Sequence, residues 1–590
     1  MINHDFSRSI VAFKESERKK IKEQKRERPR KKDVVKSDNS KVTIFSKRVI
    51  LVILLLSVFY ITVFLFFSDK EGFKSATKYI FSVKRRAYIY NTYSISFEDN
   101  VPEELRNMFN EGLSNIEFNK KKRFQFQKKG GDLNISLDGG VGKEIVYSKD
   151  FIPVGHLYSL TTSLKDGDLR FKHVYMLDGK FKDFLDKQYS ISVNVLGSRE
   201  ELVAKLAESD ENVGLVDFTS LGYDLKVLSF EDKYYLDDMS GGIGLRFYST
   251  VKDEDAFILS VLAKHMNFSV GSFSKEKLAK VNMGGVVAIA RNLAFKMEAV
   301  KDNAYAAEHI GEFLADADLT HVSNEASFVP GCSPTRSMAF CSSPNYIETL
   351  KKSGVDIVEL TGNHNNDYGA KYSASTIEMY KGLGWRYFGG GLNSADASKI
   401  LYESVKGSKV AFLGYNYYDA MLNNHGPLAG ENKSGANAYS EEKLKKDIAE
   451  AKKNADVVIV SFQFQECYCY PEGDVIYPIC YKPLSSPDQK GVFRKAIDLG
   501  ANIVVGTQAH QPQTYEMYNN GMIFYGLGNL FFDQYLWIGT RQGLVLTHYF
   551  YEGKYIQTKV TPIYMEKDFK VNIATKQQGD QLLKLLKDAR

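Results

Sequence analysis

The chain has 590 residues, of which 44% are hydrophobic and 25% are charged, and its formal net charge is +6. This balance is typical of globular proteins rather than disordered ones, and the length allows two or three domains with sizeable cores. The charge is unevenly placed, because residues 1–48 hold 16 Lys and Arg against 7 Asp and Glu. The basic segment is therefore predicted to be a solvated cytoplasmic tail that touches anionic lipid, and nucleic acid is disfavoured as a partner.

An apolar run at residues 49–67 predicts one transmembrane helix. The run is close to the ~20 residues that a helix needs to cross ~30 Å of hydrocarbon. Lys47 and Arg48 precede it, so the N-terminus is expected in the cytoplasm and the C-terminal domains outside the cell membrane. A cleaved secretory signal is the competing interpretation, but the long basic tail and the lack of a small-residue cleavage site favour an uncleaved, single-pass anchor.

Residues 84–270 have the features of a smaller α/β domain. Extended stretches are predicted at residues 189–196 and 213–218, and between them Ser198 and Glu201 form a capping box that opens a helix. The segment resembles a lobe of a periplasmic substrate-binding protein. A small α/β domain is therefore expected between the membrane anchor and the rest of the chain.

Strands and helices alternate regularly between residues 281 and 570, and a C-terminal helix is expected in residues 571–590. The predicted strands are at residues 281–290, 319–322, 356–360, 410–415, 456–462, 502–506 and 522–525. The predicted helices are at residues 306–315, 345–353, 373–383, 441–454 and 488–499. This alternation predicts a layered α/β fold.

Polar residues follow several of the predicted strands, at the point where each apolar run stops. Ligands of α/β proteins gather in the crevice outside the carboxyl ends of buried strands, so these residues are candidates for one shared site. In chain order they are Asn324, Glu325, Asn363, His364, Gln463, Gln465, Glu466, Gln508 and His510.

Five cysteines lie in the second half of the chain, where an extracytoplasmic location permits disulfides. Cys332 and Cys341 can close a small loop, and Cys480 can close another with either Cys467 or Cys469. No spacing matches a structural zinc site, so loop-closing disulfides are favoured over metal ligands.

Five sequence blocks resemble, in order and spacing, the CapA family of capsule or poly-γ-glutamate synthesis proteins. The blocks are residues 323–328, 359–369, 389–393, 506–513 and 525–533. The resemblance implies a domain similar to the calcineurin-like metallophosphoesterases, a layered α/β sandwich whose loops hold two divalent metals. Together with the predicted anchor, it implies a membrane-anchored hydrolase or transferase of capsule or cell-envelope synthesis that acts on an extracellular anionic polymer or glycan, with other envelope biosynthesis subunits as partners.

The resemblance further assigns roles to individual residues. Glu325, His364 and His510 are expected to hold a divalent metal (Mg, Mn, Ca or Zn), and Asn363, His364 and Glu325 are expected to be catalytic. The expected substrate-binding residues are Asn324, Gln463, Gln465, Glu466, Gln508 and Asn529.

The sequence departs from the family pattern at three expected metal ligands. The glycine-aspartate of the first motif reads Gly284-Gly285, and Gln463 and Gln508 stand where histidines are expected. Two-metal hydrolysis needs ions held ~3.5–4 Å apart, and a glutamine carbonyl suits Ca²⁺ or Mg²⁺ better than a transition metal. One hard cation or none is therefore expected, and the alternatives are a catalytically degenerate polymer-binding protein or a scaffold subunit of an envelope biosynthesis complex.

Structural roles compete with these functional ones. His364 can bond the backbone of its Asn- and Gly-rich loop, His510 can be a buried hydrogen-bonded histidine, and His321 is expected to be structural. Glu325 is harder to explain in this way, because an unpaired buried carboxylate is costly. Residues 463–470 can form a binding wall of amides and tyrosines, or a β-edge loop pinned by cysteines.

Overall fold

In the computed structural model, the described residues are 92–118, 121–137, 143–250, 273–467 and 478–590. Residues Thr92–Arg590 form one compact unit. The predicted basic tail and the predicted transmembrane run at residues 49–67 lie outside the described residues. Within the described ranges, no helix combines the length and the apolar character that a membrane crossing requires.

The first sheet contains nine strands among the described residues and mixes parallel with antiparallel pairs. In spatial order its strands are Phe124–Phe126, Tyr93–Phe97, Leu133–Ser136, Ile243–Thr250, Lys143–His156, Asn212–Val216, His173–Met176 and Val193–Val195, with Leu225–Val227 also paired to Lys143–His156. Its helices are Glu103–Leu113, Lys182–Tyr189, Arg199–Glu208 and Tyr235–Asp238. The described residues 92–250 therefore combine strands and helices in a mixed α/β arrangement.

The helix predicted after Ser198 is confirmed, but half of its capping box is displaced. The Ser198 side chain accepts a hydrogen bond from the Glu201 backbone N–H at 3.1 Å, whereas the Glu201 carboxylate accepts from the backbone N–H of Gly197 instead. The strand predicted at residues 189–196 is shorter than expected, because Ser190 ends the preceding helix with a left-handed φ of 54°.

The second and third sheets form the C-terminal half of the described chain. The second sheet has the order Arg386–Phe388, Ile357–Glu359, Leu319–Asn324, Leu278–Val287, Gln542–Tyr551, Lys554–Met565 and Val571–Ile573, with Asn529–Phe531 also paired to Leu278–Val287. The third sheet has the order Leu401–Val405, Ser408–Asn416, Val457–Gln463, Ile503–Thr507, Gly521–Leu527 and Pro512–Tyr518. Every predicted strand of this region is confirmed within a few residues.

The longer helices of this half are Arg291–Val300, Gly311–Ala315, Ile347–Lys352, Ala370–Gly382, Glu441–Asn454, Gln489–Leu499 and Lys576–Asp588. The helix at Arg291–Val300 was not predicted. The helix predicted at residues 306–315 divides into a 3-10 turn at Tyr305–Ala307 and the short helix Gly311–Ala315. The C-terminal helix is confirmed.

The second and third sheets pack face to face, and helices cover both outer faces. The shared core includes Met283 and Ile357 from the second sheet and Phe412 and Ile503 from the third. The outer face of the second sheet packs on side chains such as Leu293, Met297 and Ile377, and that of the third on Leu444, Ile448 and Phe493. The predicted layered α/β sandwich is therefore confirmed.

The first-sheet region contacts the sandwich where its parallel strands begin. Tyr234 donates a hydrogen bond to Gln557 at 2.8 Å, and the Tyr158 hydroxyl accepts one from the Met517 backbone at 3.0 Å. These contacts are at the edge opposite to the carboxyl ends of Leu319–Asn324 and Ile503–Thr507. These contacts of the first-sheet region therefore lie away from the site predicted at those carboxyl ends.

Candidate functional site

Four parallel strands from the two packed sheets end at one edge of the sandwich. Ser323 pairs in register with Glu359 in the second sheet, and Gln463 pairs with Thr507 in the third. The predicted polar residues follow these strand ends directly. A Cβ placed on Gly362 would lie only 2.4 Å from the Cβ of Glu325, so the loop that carries Asn363 and His364 crosses directly over Glu325.

Glu325 is buried at this edge with an exposed fraction of 1%. Neither of its carboxylate oxygens has a hydrogen-bond partner within the described chain. Burial raises the pKa of this carboxyl group, while the nearby His510 and His364 act to lower it and Glu466 acts to raise it further. Glu325 is therefore within electrostatic reach of both His364 and His510.

His364 is oriented by a carboxylate that the sequence interpretation missed. Its Nδ1 lies 2.6 Å from Oδ2 of Asp367, and the same oxygen accepts a hydrogen bond from the Phe340 backbone N–H at 2.7 Å. The imidazole stacks on the Phe340 ring with centroids 3.9 Å apart. Burial acts to lower the pKa of His364, but the Asp367 hydrogen bond and the Glu325 charge outweigh it, and the pKa is raised. Nε2 is the nitrogen left to meet a ligand.

His510 is a buried, hydrogen-bonded histidine, which is the structural alternative considered above. Its Nδ1 lies 2.8 Å from Oδ1 of Asn529, and Nδ2 of Asn529 donates to the Thr540 carbonyl at 3.0 Å. The ring also stacks on Phe532 at 4.9 Å between centroids. Asn529, which was predicted to bind substrate, thus holds the imidazole in place. A bond of this kind on Nδ1 leaves Nε2 directed elsewhere and is equally typical of functional histidines.

An arginine joins the rings that support the two histidines. The Arg291 guanidinium carbon lies 4.7 Å from the ring centroid of Phe340 and 5.1 Å from that of Phe532. Its Nε donates to Asp533 at 2.9 Å. The disulfide Cys332–Cys341, one of the expected pairs, closes the loop that contains Phe340.

Part of this arrangement had a signal in the sequence. Asp367 and Asp533 lie inside family-like blocks, whereas Arg291 and Phe340 lie outside them. Arg291 has a positive φ of 49°, a conformation that non-glycine residues seldom adopt. Such strain is concentrated at functional sites.

The third sheet contributes amides to the same edge. Nε2 of Gln508 donates to Glu466 at 3.1 Å, and Gln508 has a positive φ of 80°. Gln463 is buried, and neither atom of its amide has a hydrogen-bond partner within the described residues. The same holds for Gln511, which the sequence interpretation missed. Gln465 is partly exposed.

Asn324 and Asn363 differ in how many hydrogen bonds their side chains already make within the protein. Nδ2 of Asn324 donates to the Ala326 carbonyl at 2.8 Å and to the Tyr380 hydroxyl at 2.9 Å. The Oδ1 atoms of Asn324 and Asn363 are both buried without a hydrogen-bond partner in the described part of the chain. Asn324 is therefore largely a structural residue, and Asn363 is the better placed of the two to meet a ligand.

The second disulfide resolves an alternative that the sequence left open. Cys480 pairs with Cys467. Cys469, Tyr468 and Tyr470 lie outside the described residues, so the predicted wall of amides and tyrosines remains a prediction.

The predicted metal ligands supply suitable donor atoms without forming a compact set. Within the described residues, no three His, Cys, Asp or Glu side chains are close enough to hold a metal ion. Gly285 has no space for a carboxylate, because a Cβ there would lie 2.1 Å from the Gly528 carbonyl oxygen. The residues as arranged do not fit a two-metal centre. The single-cation site stays a prediction.

The fold and the site together define an α/β sandwich with a buried carboxylate and two oriented imidazoles at its strand ends. Residues 280–534 match the family described as bacterial capsule synthesis protein PGA_cap. The chain is 32% identical over 225 residues to the capsule biosynthesis protein CapA of Bacillus anthracis, covering 38% of this chain and 50% of the relative. It is 29% identical over 218 residues to the PGA biosynthesis protein CapA of Bacillus subtilis strain 168, covering 37% and 53%.

This chain therefore carries, over residues 280–534, a domain that matches the capsule synthesis family PGA_cap and is similar to the CapA proteins. It spans about half the length of the curated relatives that it matches. Among solved structures it is similar to the sulfate thiohydrolase SoxB of Thermus thermophilus, at 10% identity and a TM-score of 0.27 over 45% of this chain and 42% of that one. It is also similar to an ABC-type phosphate transport receptor of Vibrio cholerae, at 9% identity and a TM-score of 0.19 over 30% and 93%. TM-scores this low carry no argument about function.

Proposed function

We propose that this chain is anchored in the cell membrane by residues 49–67 and works outside the cytoplasm in the synthesis of capsule or another envelope polymer. The family that residues 280–534 match supports a role in capsule synthesis. The apolar run behind a basic tail supports the anchor and its orientation. The two disulfides suit an oxidising, extracytoplasmic location.

The burial of the Glu325 carboxylate is the main observation in favour of a functional site. An unpaired polar group costs ~1–3 kcal/mol when it is buried, and a charged group costs more. Carboxyl groups with a perturbed pKa beside other titratable groups are concentrated at functional sites. Glu325 lies under the loop that carries Asn363 and beside two imidazoles, so this edge of the sandwich is where we place contact with an anionic polymer.

The arrangement supports acid–base chemistry on that polymer. A protonated Glu325 donates a hydrogen bond or a proton to an oxygen of the polymer. His364, which is held by Asp367, accepts or returns a proton through Nε2. Asn363 orients the reacting group or water through its Oδ1, which has no hydrogen-bond partner among the described residues. The reaction class is then hydrolysis of the polymer or transfer of a polymer segment. A divalent cation would add charge neutralisation at the polymer's anionic groups.

Polymer binding without turnover is a second candidate, favoured by the amides. Gln463 and Gln511 are buried with both amide atoms unpartnered within the described residues, and each amide can donate and accept hydrogen bonds. Gln463 and Gln508 also replace expected imidazole ligands. A chain of amide, hydroxyl or carboxylate groups is a suitable partner for such a surface.

The two candidates separate in one experiment on the full-length chain in detergent. Poly-γ-glutamate and hyaluronate serve as anionic probes, with binding measured by biolayer interferometry and chain length by gel electrophoresis. We expect one probe to bind, and the Glu325→Gln and His364→Ala variants to lose any change in chain length. Binding that survives in these variants, with no change in chain length in the wild type, would favour the second candidate. If neither probe binds, the proposed polymer site is wrong.

Metal dependence is measured on the same samples. Elemental analysis of the wild type and of a His364→Ala/His510→Ala variant gives the metal content, and the assays are repeated with EDTA. Stoichiometric metal that is lost in the double variant would support the predicted cation site. Activity that persists in EDTA would assign the chemistry to the protein side chains.

A further inference from the structure

We infer that Glu359 is a positioning residue that ties together the three segments bearing the candidate site. It is the last residue of the strand Ile357–Glu359, directly before the loop with Asn363 and His364. It lies in the fully buried interior of the sandwich rather than at the open edge. The inference rests on the proposed function only in treating the cluster around Glu325 as the functional site.

The Glu359 carboxylate bonds one residue from each packed sheet. Its Oε1 accepts a hydrogen bond from the Thr361 hydroxyl, which belongs to the site loop of the second sheet. The same oxygen accepts a hydrogen bond at 3.0 Å from the hydroxyl of Thr507, the last residue of a strand in the third sheet. Thr507 is followed at once by Gln508 and, two residues later, by His510. One oxygen atom therefore couples the segment of His364 to the segment of His510.

The second carboxylate oxygen reaches the remaining segment. Oε2 of Glu359 lies 3.2 Å from Nε2 of His321, and both side chains are fully buried. His321 belongs to the strand Leu319–Asn324, which ends next to Glu325. Oε2 has no hydrogen bond of good geometry within the described residues. The contact with His321 is therefore close enough for an ion pair but is not a directed hydrogen bond. Burial, and to a lesser extent the nearby His321, lower the pKa of His548 on the strand Gln542–Tyr551 to about 3.

Stability alone does not explain a carboxylate in this position. Replacing a buried ion pair by well-packed apolar residues is often neutral or stabilising, because the desolvation cost can exceed the attraction between the charges. An apolar side chain at 359 would have suited the surrounding core of Ile357, Phe388 and Ile503. What it could not do is hold two threonine hydroxyls from different sheets at one point. Both hydroxyls are satisfied at Oε1 of Glu359, and satisfied hydrogen bonds of this kind fix a unique local geometry.

Thr507→Val is the sharpest test, because it removes one hydroxyl at nearly constant volume. Thr514→Val is the matched control, since the Thr514 hydroxyl is also buried and donates to the Leu586 carbonyl at 2.6 Å, away from the site. Glu359→Gln keeps the oxygen that accepts both hydroxyls, and Glu359→Leu removes it. All variants are made in the full-length chain and checked for folding by thermal melting.

Two measurements report on the site. Histidine C2-hydrogen exchange, followed by mass spectrometry, reads the surroundings of His364 and His510 separately and needs no polymer. Affinity for whichever anionic probe binds the wild type reads the whole site. We expect Thr507→Val and Glu359→Leu to change exchange at both histidines and to weaken probe binding by about tenfold, the equivalent of ~1.4 kcal/mol. Glu359→Gln is expected to resemble the wild type, and Thr514→Val to change only the melting temperature.

Unchanged exchange at both histidines in Thr507→Val would overturn the inference. So would equal effects of Thr507→Val and Thr514→Val, which would show a general loss of stability. If Glu359→Leu does not fold, Thr507→Val and Glu359→Gln still decide the matter. If the wild type binds neither probe, the proposed function fails while the histidine exchange still tests the role of Glu359.

Discussion

Replacing Glu325 by glutamine is expected to stabilise the protein at neutral pH and to leave it unchanged in acid. Burial raises the pKa of Glu325 in the folded state above its ordinary value of 4.5. Between 4.5 and the raised value, the folded state keeps a proton that the unfolded state has released. The free energy of unfolding of the wild type therefore falls as the pH rises through that window, and glutamine removes this loss.

The size of the effect follows from the contacts of the carboxylate. Both oxygens are unpartnered within the described residues, and an unsatisfied buried polar group costs ~1–3 kcal/mol. The glutamine amide keeps part of this cost, so we expect a net gain of about 1–2 kcal/mol at pH 8. The unfolding entropy is ~2.1 cal/mol/K per residue. For the compact unit Thr92–Arg590, this gain in free energy of unfolding therefore corresponds to a melting temperature about 1–2 °C higher.

Differential scanning fluorimetry at pH 4.5 and pH 8 measures this difference. Glu516→Gln is the control with the opposite sign, because Glu516 accepts two hydrogen bonds from Arg494 at 2.8 Å each. Burial acts to raise the pKa of Glu516, but these bonds outweigh it and the pKa is lowered, so its loss should destabilise at pH 8. A Glu325→Gln variant that melts below the wild type at pH 8 would refute the reasoning. It would mean that a cation, or the charged imidazoles, stabilises the ionised carboxylate.

Three further predictions concern the same site and the proposed membrane anchor at residues 49–67. The pKa of His364 is raised, so histidine exchange should place its midpoint above 6.5, and Asp367→Asn should lower that midpoint; an unchanged midpoint would contradict the assigned hydrogen bond. The stability that this raised pKa contributes is fully present below the ordinary pKa and is lost as the pH rises through the folded value. The Cys332→Ser/Cys341→Ser variant should lose about 2–3 kcal/mol and speed exchange at His364, because the loop behind its stacked ring is released; an equal effect on His510 and His364 would indicate global loosening instead. Deletion of residues 1–67 should release the protein from membranes in a sedimentation assay, and a deleted chain that still sediments with them would contradict the proposed anchor.

The alternation of elements in the C-terminal half was predictable because it depends on local patterns. The helix Glu441–Asn454 begins after a serine cap and presents apolar residues at helical spacing, and the predicted range agrees with the structure. The missed helix Arg291–Val300 has no side-chain cap, and its first residue has a positive φ, so its start gives no local signal. Errors of this kind arise where tertiary contacts override local preference.

The placement of the site was predictable for the same reason, but its contacts were not. Glu325, His364 and His510 each follow an apolar run, and a strand end is visible in the sequence. The supporting residues Arg291 and Phe340 are not, because they lie outside the family-like blocks and reach the site only through tertiary contacts. The hydrogen bond between Asn529 and His510 was not predictable either, since it depends on how two neighbouring loops fold over one edge.

By itself, the sequence determined the layered α/β class, the family of residues 280–534 and the edge on which polar residues gather, because apolar periodicity and strand ends are local properties of the chain. Only the tertiary structure decided that Glu325 has no hydrogen-bond partner in the described part of the chain, that Asp367 orients His364, and that Glu359 joins two sheets through Thr361 and Thr507. These contacts bring together residues separated by up to 148 positions. They exist because two sheets, each formed from distant segments, are packed against each other and end at a common edge.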